Sequence, residues 1–385
     1  MSIKKILSFT GIRSDYDLMS GLYKKLNNSD DFEIGVIVSG AHLSDSYGYT
    51  VDNIEKDGIP IIAKIETLID SSSKSARVKS LSILLQDCIH SVTMYNPDLI
   101  IYAGDREDVI VAGIIGSYLR IPTVHFFGGD HASDGNVDNS IRHATSKLSS
   151  LHFVSNNKAK SRLIKMGETH NRIFNVGSPA LDKFISTRHI SKEHLLKDLE
   201  RSKWSEYAVV IFHPNTGEEE AAGKHFEEIL LALEEKGINA FVSYPNIDSG
   251  NKNIIEVIHR YENNISFKFY KNLSREIFIN LLRNCKFMIG NSSAGLYEAP
   301  TINKPAINVG NRQRGRLAAE NVLFVKEDRK SISTAIEKAT SKEFLEKLIS
   351  VKSPYGDGKS IDNIIDLFRK LDYKSFVDKY EDPLL

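Results

Sequence analysis

Short runs of β-branched and other apolar residues alternate with longer amphipathic segments along the whole chain. This alternation is typical of parallel βαβ units, in which helices connect strands that are buried on both faces. In the first half it predicts strands at Ile6–Phe9, Ile34–Val38, Ile61–Ala63, Leu99–Tyr102, Thr123–Phe127, Leu151–Val154 and Ile173–Val176, with helices that include Ser80–Tyr95, Val109–Tyr118 and Lys158–Met166. In the second half it predicts strands at Tyr207–Phe212, Ala240–Tyr244, Ile265–Phe269, Phe287–Ile289 and Ala306–Val309. The pattern therefore predicts an α/β protein.

A Gly- and Pro-containing segment separates the two sets of strands. This segment, Gly177–Asp182, has the sequence GSPALD and is the predicted linker. A chain of 385 residues is also too long for one ordinary hydrophobic core. We therefore expect two Rossmann-like domains that face each other across a cleft, the first covering residues 1–180 and the second residues 181–362. The polar segment Ser71–Ser75 is expected to form a loop.

The composition excludes several classes of protein. Lys and Arg together number 50, as do Asp and Glu, so no net charge would attract nucleic acid or an anionic membrane. The two cysteines, Cys88 and Cys285, lie far apart in apolar segments, which indicates a reducing compartment rather than a disulfide framework or a zinc site. No signal peptide is recognisable, and no apolar run approaches the ~18 residues of a membrane span. These features predict a soluble protein of the cytoplasm.

Six predicted strands are each followed by residues rich in Gly, Pro or charge. Open α/β sheets bind ligands beyond the carboxyl ends of their strands, so these residues are candidates for a site. The segments are Thr10–Arg13, Ser39–His42, Gly104–Arg106, Gly128–Asp130, His213–Thr216 and Pro245–Asn246. An ordinary loop explains any one of them, but six such segments at the carboxyl edges indicate ligand binding.

The most informative segment is Phe287–Pro300, with the sequence FMIGNSSAGLYEAP. Its apolar start predicts a strand, its Gly- and Ser-rich middle a turn, and the residues from Leu296 the start of a helix. Free backbone N–H groups at a helix N-terminus, beside two serine hydroxyls, bind phosphate. Glu298 lies about one turn deeper, where its carboxylate can accept hydrogen bonds from the two hydroxyls of a ribose. The alternative is a strand-to-helix turn that binds nothing.

Motifs for other cofactors are missing or incomplete. Gly358–Ser360 resembles the end of a P-loop, but Ser353 occupies the position of the required glycine. No G-x-G-x-x-G follows the first strand, which argues against a nicotinamide dehydrogenase. The histidines show no H-E-x-x-H and no paired metal-ligand spacing. We therefore expect neither a metal nor a redox cofactor.

Taken together, these segments resemble the UDP-N-acetylglucosamine 2-epimerase family. The resemblance covers nearly the whole chain. It is closest to the hydrolysing branch, which releases UDP and N-acetylmannosamine, or a related 2-epimeric sugar, for sialic-acid-type sugar synthesis. The segments that carry it are TGIRSDY (10–16), SGAHLSDSYGYT (39–50), GDRED (104–108), VDNSIRHATSKLS (137–149), FHPNT (212–216), YPNID (244–248), GNSSAGLYEAP (290–300), VGNRQRGR (309–316) and SPYGDGKS (353–360).

The resemblance implies a fold similar to that of the GT-B glycosyltransferases, with a last helix in residues 363–385 that packs back on the first domain. It also implies a UDP-sugar substrate and a homo-oligomer, either a dimer or a tetramer. The binding residues that it implies are Arg13, His42, Arg106, Asn246, Ser292, Ser293, Gly295, Glu298 and Arg312. Of these, the two serines and Gly295 would hold the diphosphate, Glu298 the ribose, and the arginines would supply countercharge.

The catalytic residues implied by the resemblance are Asp105, Asp138, His213 and Asp130. The C2 proton of the sugar is not next to a carbonyl, so UDP must begin to leave before that proton becomes acidic. Cations at the diphosphate, with His213, would assist this departure. One carboxylate would then remove the C2 proton, and a second carboxyl group would protonate the resulting glycal from the other face while water adds at C1. Asp105 and Asp138 match these two acid/base groups.

One position departs from the family pattern. Much of the family has His-x-Glu-Gly-Gly, with the Glu implicated in catalysis, where this chain has Phe127 before Gly128 and Gly129. Phe127 cannot transfer a proton. The alternatives are that the two matched carboxylates suffice, that the pocket is remodelled for a less polar sugar such as a 6-deoxy-4-acetamido sugar of the legionaminic-acid type, that Phe127 packs the pocket floor, or that the role passes to Asp130, His131 or Asp134.

The leading hypothesis is a hydrolysing 2-epimerase that acts on UDP-N-acetylglucosamine or a 2,4-diacetamido-2,4,6-trideoxy analogue. A non-hydrolysing 2-epimerase is the nearest alternative, and release of free UDP would separate the two. A glycosyltransferase of GT-B fold would need an acceptor, and a sugar-nucleotide hydrolase would leave C2 unchanged. A catalytically inactive binding protein is the last alternative, against which the acid/base residues argue. The sequence leaves open the nucleotide and the substituents at C4 and C6.

Overall fold

The computed structural model describes residues 3–69, 74–131, 137–215, 217–245, 250–271 and 273–381. The chain divides into two compact units. Unit 1 combines Met1–Lys183 with Gly358–Leu385, and unit 2 is Phe184–Asp357. Each unit contains one parallel sheet with helices, so the predicted α/β class with two Rossmann-like domains is confirmed. Unit 2 is thus inserted into the chain of unit 1.

The strands form one sheet in each unit. They are β1 (Lys4–Thr10), β2 (Phe32–Ser39), β3 (Ile61–Ile65), β4 (Leu99–Ala103), β5 (Thr123–Phe126), β6 (Leu151–Val154), β7 (Ile173–Asn175), β8 (Ala208–Ile211), β9 (Ala240–Ser243), β10 (Phe267–Tyr270), β11 (Met288–Gly290), β12 (Ala306–Val309) and β13 (Val322–Val325). The seven-stranded sheet of unit 1 has the order β3-β2-β1-β4-β5-β6-β7. The six-stranded sheet of unit 2 has the order β10-β9-β8-β11-β12-β13.

Helices connect these strands. They are α1 (Arg13–Asn27), α2 (Val51–Lys56), α3 (Lys74–Tyr95), α4 (Glu107–Leu119), α5 (Val137–Leu148), α6 (Asn157–Lys165), α7 (Pro179–Ser186), α8 (Lys192–Asp198), α9 (Ala222–Glu235), α10 (Asn251–Tyr261), α11 (Arg275–Asn284), α12 (Ala294–Tyr297), α13 (Arg329–Thr340), α14 (Lys342–Leu348) and α15 (Ser360–Lys370). The division between the units falls inside α7. In the described part of the chain, no helix is long and apolar enough to cross a membrane.

The strands form where the sequence is apolar on both faces. All five residues of β4 are buried, as expected for a strand of a parallel sheet that is covered by helices. Three details differ from the sequence prediction. Strand β13 was not predicted, and β10 begins at Phe267 because Ile265 is 86% exposed. Helix α3 includes the last two residues of the predicted loop Ser71–Ser75, while residues 71–73 lie outside the described residues.

The C-terminal helix α15 completes the core of unit 1. Phe368 is fully buried, and its ring stacks on that of Phe153 with centroids 5.5 Å apart. The carboxylate of Asp182 accepts hydrogen bonds from the backbone N–H groups of Ser360 and Ile361 at 3.0 and 2.6 Å, which satisfies two free donors of the first turn. The Gly358–Ser360 sequence therefore leads into a helix of the core.

A buried carboxylate ties the segment after α15 to the same unit. Glu168 is 3% exposed and accepts hydrogen bonds from Nε2 of His152 at 2.9 Å and from Nζ of Lys379 at 2.7 Å. Nζ of Lys147 lies 2.7 Å from its other oxygen. Burial raises the pKa of Glu168, but the hydrogen bond from His152 and the neighbouring positive charges outweigh burial and lower it to about 2. Glu168 is therefore ionised in the folded protein.

In unit 2, a glycine permits close contact between two neighbouring strands. Gly290, the last residue of β11, has φ +134°, which residues with a Cβ rarely adopt. A Cβ at this position would overlap the backbone carbonyl of Ile211 at the end of β8. The next residue, Asn291, donates its backbone N–H to that carbonyl at 3.0 Å. Gly290 thus fixes the start of the loop that follows β11.

Candidate functional site

Four loops of unit 1 lie at the carboxyl edge of its sheet. The strands β2, β1, β4 and β5 are neighbours that run parallel, so the residues that follow them emerge at one edge. These residues are Gly11–Arg13, Gly40–His42, Gly104–Arg106 and Phe127–Asp130. The first-half candidates other than Asp138 therefore come from this edge.

Asp105 is paired with an arginine that the sequence analysis did not assign. Arg142, on α5, donates hydrogen bonds from Nη2 to Oδ2 of Asp105 and, at 3.2 Å, from Nη1 to the backbone carbonyl of Phe127. Its Nη1 also lies 3.9 Å from Oδ2 of Asp130. The side chains of Asp105, Arg142 and Asp130, which we call the Asp105 cluster, are 20%, 17% and 22% exposed. They are held in place yet accessible to a ligand.

Asp138 lies in the first turn of α5, four residues before Arg142. Residues four apart share a helix face, and this spacing was the sequence signal that could have revealed Arg142. Arg77, on α3, donates from Nη2 to Oδ1 of Asp138 at 3.3 Å and also pairs with Glu107 at the start of α4. The second acid/base candidate is thus also held by an arginine.

Phe127 belongs to the hydrophobic core and is 8% exposed. Its φ of 61° is uncommon for a residue with a side chain and turns the chain after β5. Its side chain packs while its carbonyl holds Arg142, which favours the packing interpretation of this position. The exposed ring of His131 stacks on that of His143 with centroids 5.7 Å apart, and Asp134 lies outside the described residues. Asp130 is therefore the candidate from this loop that belongs to the Asp105 cluster, through its contact with Arg142.

The remaining binding candidates of unit 1 differ in accessibility. The side chains of Arg13 and Arg106 are 70% and 43% exposed. His42, by contrast, is fully buried, and its two ring nitrogens lie 3.0 Å from Oγ1 of Thr10 and 2.7 Å from Oγ1 of Thr50. Burial lowers the pKa of His42 to about 4, so the ring is neutral. This geometry argues against the predicted contact with substrate, and His42 instead fixes the loops after β1 and β2.

A cavity of about 470 Å³ opens at the same edge. Its volume lies within the range of small-molecule sites. The lining comes from the loops after β1, β2, β3 and β4 and from α3, and includes Ile12, Ser39, Leu68, Ala76, Arg106 and Asp108. The cavity is thus partly apolar, with charged groups contributed by the loop after β4.

In unit 2, a buried asparagine fixes the backbone of His213. Oδ1 of Asn291 accepts a hydrogen bond from the backbone N–H of His213, and its Nδ2 donates to the His213 carbonyl, both at 2.8 Å. Gln313 in turn donates to the carbonyl of Asn291 at 2.9 Å. Because β8, β11 and β12 are parallel neighbours, the loops after them meet here. Sequence reasoning did not assign Asn291 or Gln313, although both lie in quoted motifs.

The turn after β11 differs from the prediction in one respect. The predicted helix exists, but α12 has only four residues and is followed by a 3₁₀ turn, Ala299–Ile302. Its dipole is therefore too short to carry the phosphate argument. Ser292 Oγ accepts the backbone N–H of Ala294 at 3.3 Å, and Ser293 is the N-cap. Burial raises the pKa of Glu298.

The remaining binding candidates of unit 2 are Gly295, Arg312 and Asn246. Gly295 packs closely against β12, where a Cβ would lie 3.2 Å from Cβ of Ala306. Arg312 is exposed in the turn after β12. Asn246 lies outside the described residues. The SPYGDGKS segment contributes Tyr355, whose ring stacks on that of Tyr297 with centroids 4.0 Å apart and so supports α12.

One group of side chains in the described residues has the spacing of metal ligands. Ligand atoms of Glu218, His225 and Glu327 all lie within 4.8 Å of one another. They come from the loop after β8, from α9 and from the residues after β13, which is why no sequence spacing indicated them. Asn215 donates to Glu218 at 2.8 Å. These residues could hold a divalent cation.

Comparison with known proteins shows similarity to 2-epimerases of sugar nucleotides. The family model described as UDP-N-acetylglucosamine 2-epimerase matches residues 24–369. The chain is 34% identical over 373 residues to a UDP-N,N'-diacetylbacillosamine 2-epimerase (hydrolyzing) of Legionella pneumophila, with 96% of each chain covered. It is 33% identical over 347 residues to a GDP/UDP-N,N'-diacetylbacillosamine 2-epimerase (hydrolyzing) of Campylobacter jejuni, with 89% of each covered.

A similar fold is found among solved structures. The UDP-GlcNAc 2-epimerase of Neisseria meningitidis, bound to UDP-GlcNAc, matches with a TM-score of 0.76. The alignment covers 95% of this chain and 100% of that one, at 16% identity. At this identity, the likeness shows a shared two-domain fold.

Proposed function

The chain belongs to the UDP-N-acetylglucosamine 2-epimerase family and is an enzyme, and from this we propose that it is a hydrolysing 2-epimerase of UDP-linked N-acetylhexosamines. The products are UDP and the free 2-epimeric, N-acetylmannosamine-type sugar. The observation that carries the proposal is the set of three carboxylates in unit 1, Asp105, Asp130 and Asp138, each of which contacts an arginine. Proton abstraction and proton return need two such groups, and the set supplies them even though Phe127 replaces the family Glu.

The proposed mechanism divides the work between the two units. In unit 2, Ser292, Ser293 and Glu298 bind UDP, and His213 assists departure of the diphosphate. Two hydrogen bonds with the side chain of Asn291 fix the backbone of His213. As UDP leaves C1, positive charge develops on the sugar and C2–H becomes acidic. The arginines neutralise the departing diphosphate, which favours this step.

In unit 1, the carboxylates then transfer protons. One of Asp105 and Asp138 removes the C2 proton, giving a glycal. The other returns a proton to the opposite face of C2 while water adds at C1. Asp130, beside Arg142, is the group of the loop after β5 that can take part in place of the missing Glu. Arg142 and Arg77 keep these carboxylates in fixed positions.

We propose a UDP-linked 2,4-diacetamido-2,4,6-trideoxy sugar as the substrate, with UDP-N-acetylglucosamine as the alternative. Support comes from the two relatives at 34% and 33% identity, both named for N,N'-diacetylbacillosamine. Apolar lining of the unit 1 cavity by Ile12, Leu68 and Ala76 suits a sugar with a methyl group at C6. The enzyme would act in the cytoplasm, as a homo-oligomer, in the synthesis of legionaminic- or sialic-acid-type sugars.

An NMR time course with the two candidate UDP-sugars tests this proposal. We expect free UDP and a free sugar with inverted C2, formed at equal rates. Because one relative is named for GDP as well as UDP, the GDP-linked sugar is included as a comparison. Epimerised UDP-sugar without free UDP would indicate the non-hydrolysing reaction. Turnover only on addition of an acceptor would indicate a glycosyltransferase.

Glu298→Ala is expected to weaken UDP binding by about 1–3 kcal/mol, the scale of lost hydrogen bonds to a charged group. The measurement is calorimetric titration with UDP. Glu343→Ala, which removes an exposed carboxylate on α14 of the same unit, is the matched control and should bind as the wild type does. Equal affinity of the two variants would show that Glu298 does not hold the ribose.

Activity is expected to survive EDTA and to need no added NAD. The arginines, rather than a metal ion, neutralise the diphosphate in the proposed mechanism. Glu218, His225 and Glu327 have the spacing of metal ligands, and the chelator would remove a cation bound to them. Activity after chelation therefore shows whether such a cation is needed. Rates are measured before and after chelation and again after adding Mg²⁺, Mn²⁺ or Zn²⁺. Complete loss that one of these ions reverses would overturn the prediction.

A further inference from the structure

One buried and one partly buried carboxyl group, neither of them used in the proposed mechanism, lie at the carboxyl edge of the unit 1 sheet. Asp108 is in the first turn of α4 and is 4% exposed. Asp15 is in the first turn of α1, with its side chain 17% exposed. They lie on neighbouring sides of the point between β1 and β4, where the order of strands reverses direction in the sheet. Ligands of open α/β sheets bind at such points.

Asp108 is held against the loop that follows β1. Its carboxylate accepts the backbone N–H groups of Gly11 and Val109, which favours its ionised form. A Cβ at Gly11 would lie 3.1 Å from Oδ1 of Asp108, so the absence of a side chain allows this approach. Asp108 also lines the 470 Å³ cavity together with Arg106.

Asp15 has less support. Ser14 donates to its Oδ1 at 3.3 Å, but its Oδ2 is buried with no hydrogen-bond partner among the described residues. Nε of Arg106 lies 3.8 Å from that oxygen. An unpaired buried oxygen is costly when it carries charge and is satisfied by a proton. The geometry therefore favours a protonated carboxyl at this position.

Some surroundings of Asp15 and Asp108 raise the pKa values of these two groups, and others lower them. Burial and the charge of Asp108 raise the pKa of Asp15 to about 7, against the lowering effects of Arg106, Ser14 and Arg142. Burial raises the pKa of Asp108 to about 6, against its backbone donors and Arg106. Tyr23 is a further titratable neighbour, and burial raises its pKa, so it stays uncharged near neutral pH. Arg106 and Arg142 are therefore the cations that face the pair.

We propose that Asp15 and Asp108 share one proton and thereby set the net charge that the loop of Arg106 presents to the diphosphate of the substrate. This inference rests on the proposed function, because it takes Arg106 as a countercharge. With the proton present, the pair has one negative charge, which Arg106 balances. When the proton is lost, the pair has two negative charges, and the local potential becomes less favourable for a diphosphate. In this scheme Asp15 and Asp108 act through Arg106 and transfer no proton to the substrate.

As the pH rises from about 6.5 to about 8.5, the shared proton leaves and KM for the UDP-sugar rises. One added negative charge near the diphosphate is expected to weaken its binding on the order of three- to tenfold. In Asp15→Asn, the pair has one charge throughout this range, so KM stays flat. The KM of Asp15→Asn should thus equal that of the wild type near pH 6.5 and be lower than that of the wild type near pH 8.5.

The experiment measures KM and kcat of the full chain for a UDP-sugar between pH 6.5 and 8.5. The diphosphate diester does not titrate in this range, so its own charge is constant. Asp87→Asn removes an exposed carboxylate on α3 of the same unit and is the matched control, with the pH dependence of the wild type. A rise in KM for Asp15→Asn that parallels the wild type, or a uniform increase at all pH values, would overturn the proposal.

Two further readouts do not depend on turnover. Carbon-13 NMR of aspartate carboxyls should show a titration between pH 6 and 7.5 in the wild type that Asp15→Asn abolishes. The melting temperature of the variant relative to the wild type should rise with pH from about 4 to 8, because the native state binds more protons than the unfolded chain there. If no UDP-sugar is turned over, the proposed function is wrong. The NMR titration and the melting temperatures still show whether Asp15 and Asp108 share a proton. If no carboxyl titrates above pH 5.5, the shared proton is excluded.

Discussion

Asp105→Asn and Asp138→Asn are each expected to lower kcat by about 10²–10⁴-fold with little change in KM. The amide keeps the shape of the side chain but cannot accept or return the C2 proton. Arg142 and Arg77 hold these two carboxylates in the native protein, and an asparagine oxygen can still accept their hydrogen bonds. The loss should therefore fall on the chemical step rather than on binding.

The measurement is steady-state kinetics joined to a reaction in D₂O. The wild-type product should carry one solvent deuteron at C2, because the original proton is removed and replaced from the other face. Asp87→Asn, with the same change of charge at an exposed site, should retain full activity. His213→Ala should slow release of UDP and also weaken its binding, a different pattern from the carboxylate variants. A wild-type product with unchanged C2 and no deuterium would mean simple hydrolysis, so the enzyme would not be an epimerase.

Glu168→Gln is expected to destabilise unit 1 by about 3–5 kcal/mol, the cost of removing one partner from a buried ion pair. The substitution leaves His152, Lys147 and Lys379 beside a neutral group that also brings donors of its own. Because the pKa of Glu168 is depressed in the folded state, its contribution is present above about pH 4.5 and is lost as the pH falls towards 2. The difference between variant and wild type should shrink over that interval.

Hydrogen exchange is the suitable measurement, since it reports each unit separately. We expect faster exchange in β6 and in residues 373–381, which Glu168 connects, and unchanged exchange in the sheet of unit 2. Glu55→Gln, at an exposed pair with Lys64, is the matched control and should exchange as the wild type does. Unchanged exchange of β6 in the Glu168 variant would show that the network adds nothing to stability.

The sequence predicts best those strands in which every residue is buried. Strands β6 and β12 were predicted to the residue, because each is a fully buried run of four residues of which three are apolar. Strand β13 is also apolar, but it is half-buried throughout at the sheet edge. A run this short cannot be distinguished from a helix segment by periodicity. Helix α12 ends at Tyr297, and the chain continues as the 3₁₀ turn Ala299–Ile302 with Pro300 near its start.

The site was predicted only as far as it lies in short motifs. Asp105, Asp130 and Asp138 were assigned through the resemblance, but their arginine partners come from other elements and were missed. His42 also lies in a motif, but the motif does not predict that its ring is fully buried between two threonines. Burial and pairing depend on residues far apart in the chain, which no local pattern contains.

The insertion of unit 2 into unit 1 also sets the order in which the protein can be completed on the ribosome. Residues 184–357 emerge as one continuous segment and contain every strand of their own sheet. Unit 1 begins to emerge first, but the rings of Phe153 and Phe32 both pack against Phe368. Phe368 is synthesised only after unit 2, so these contacts form last. During that interval, the apolar groove for α15 is open to solvent and prone to association with other nascent chains. The unit that starts the chain is therefore the last to finish folding.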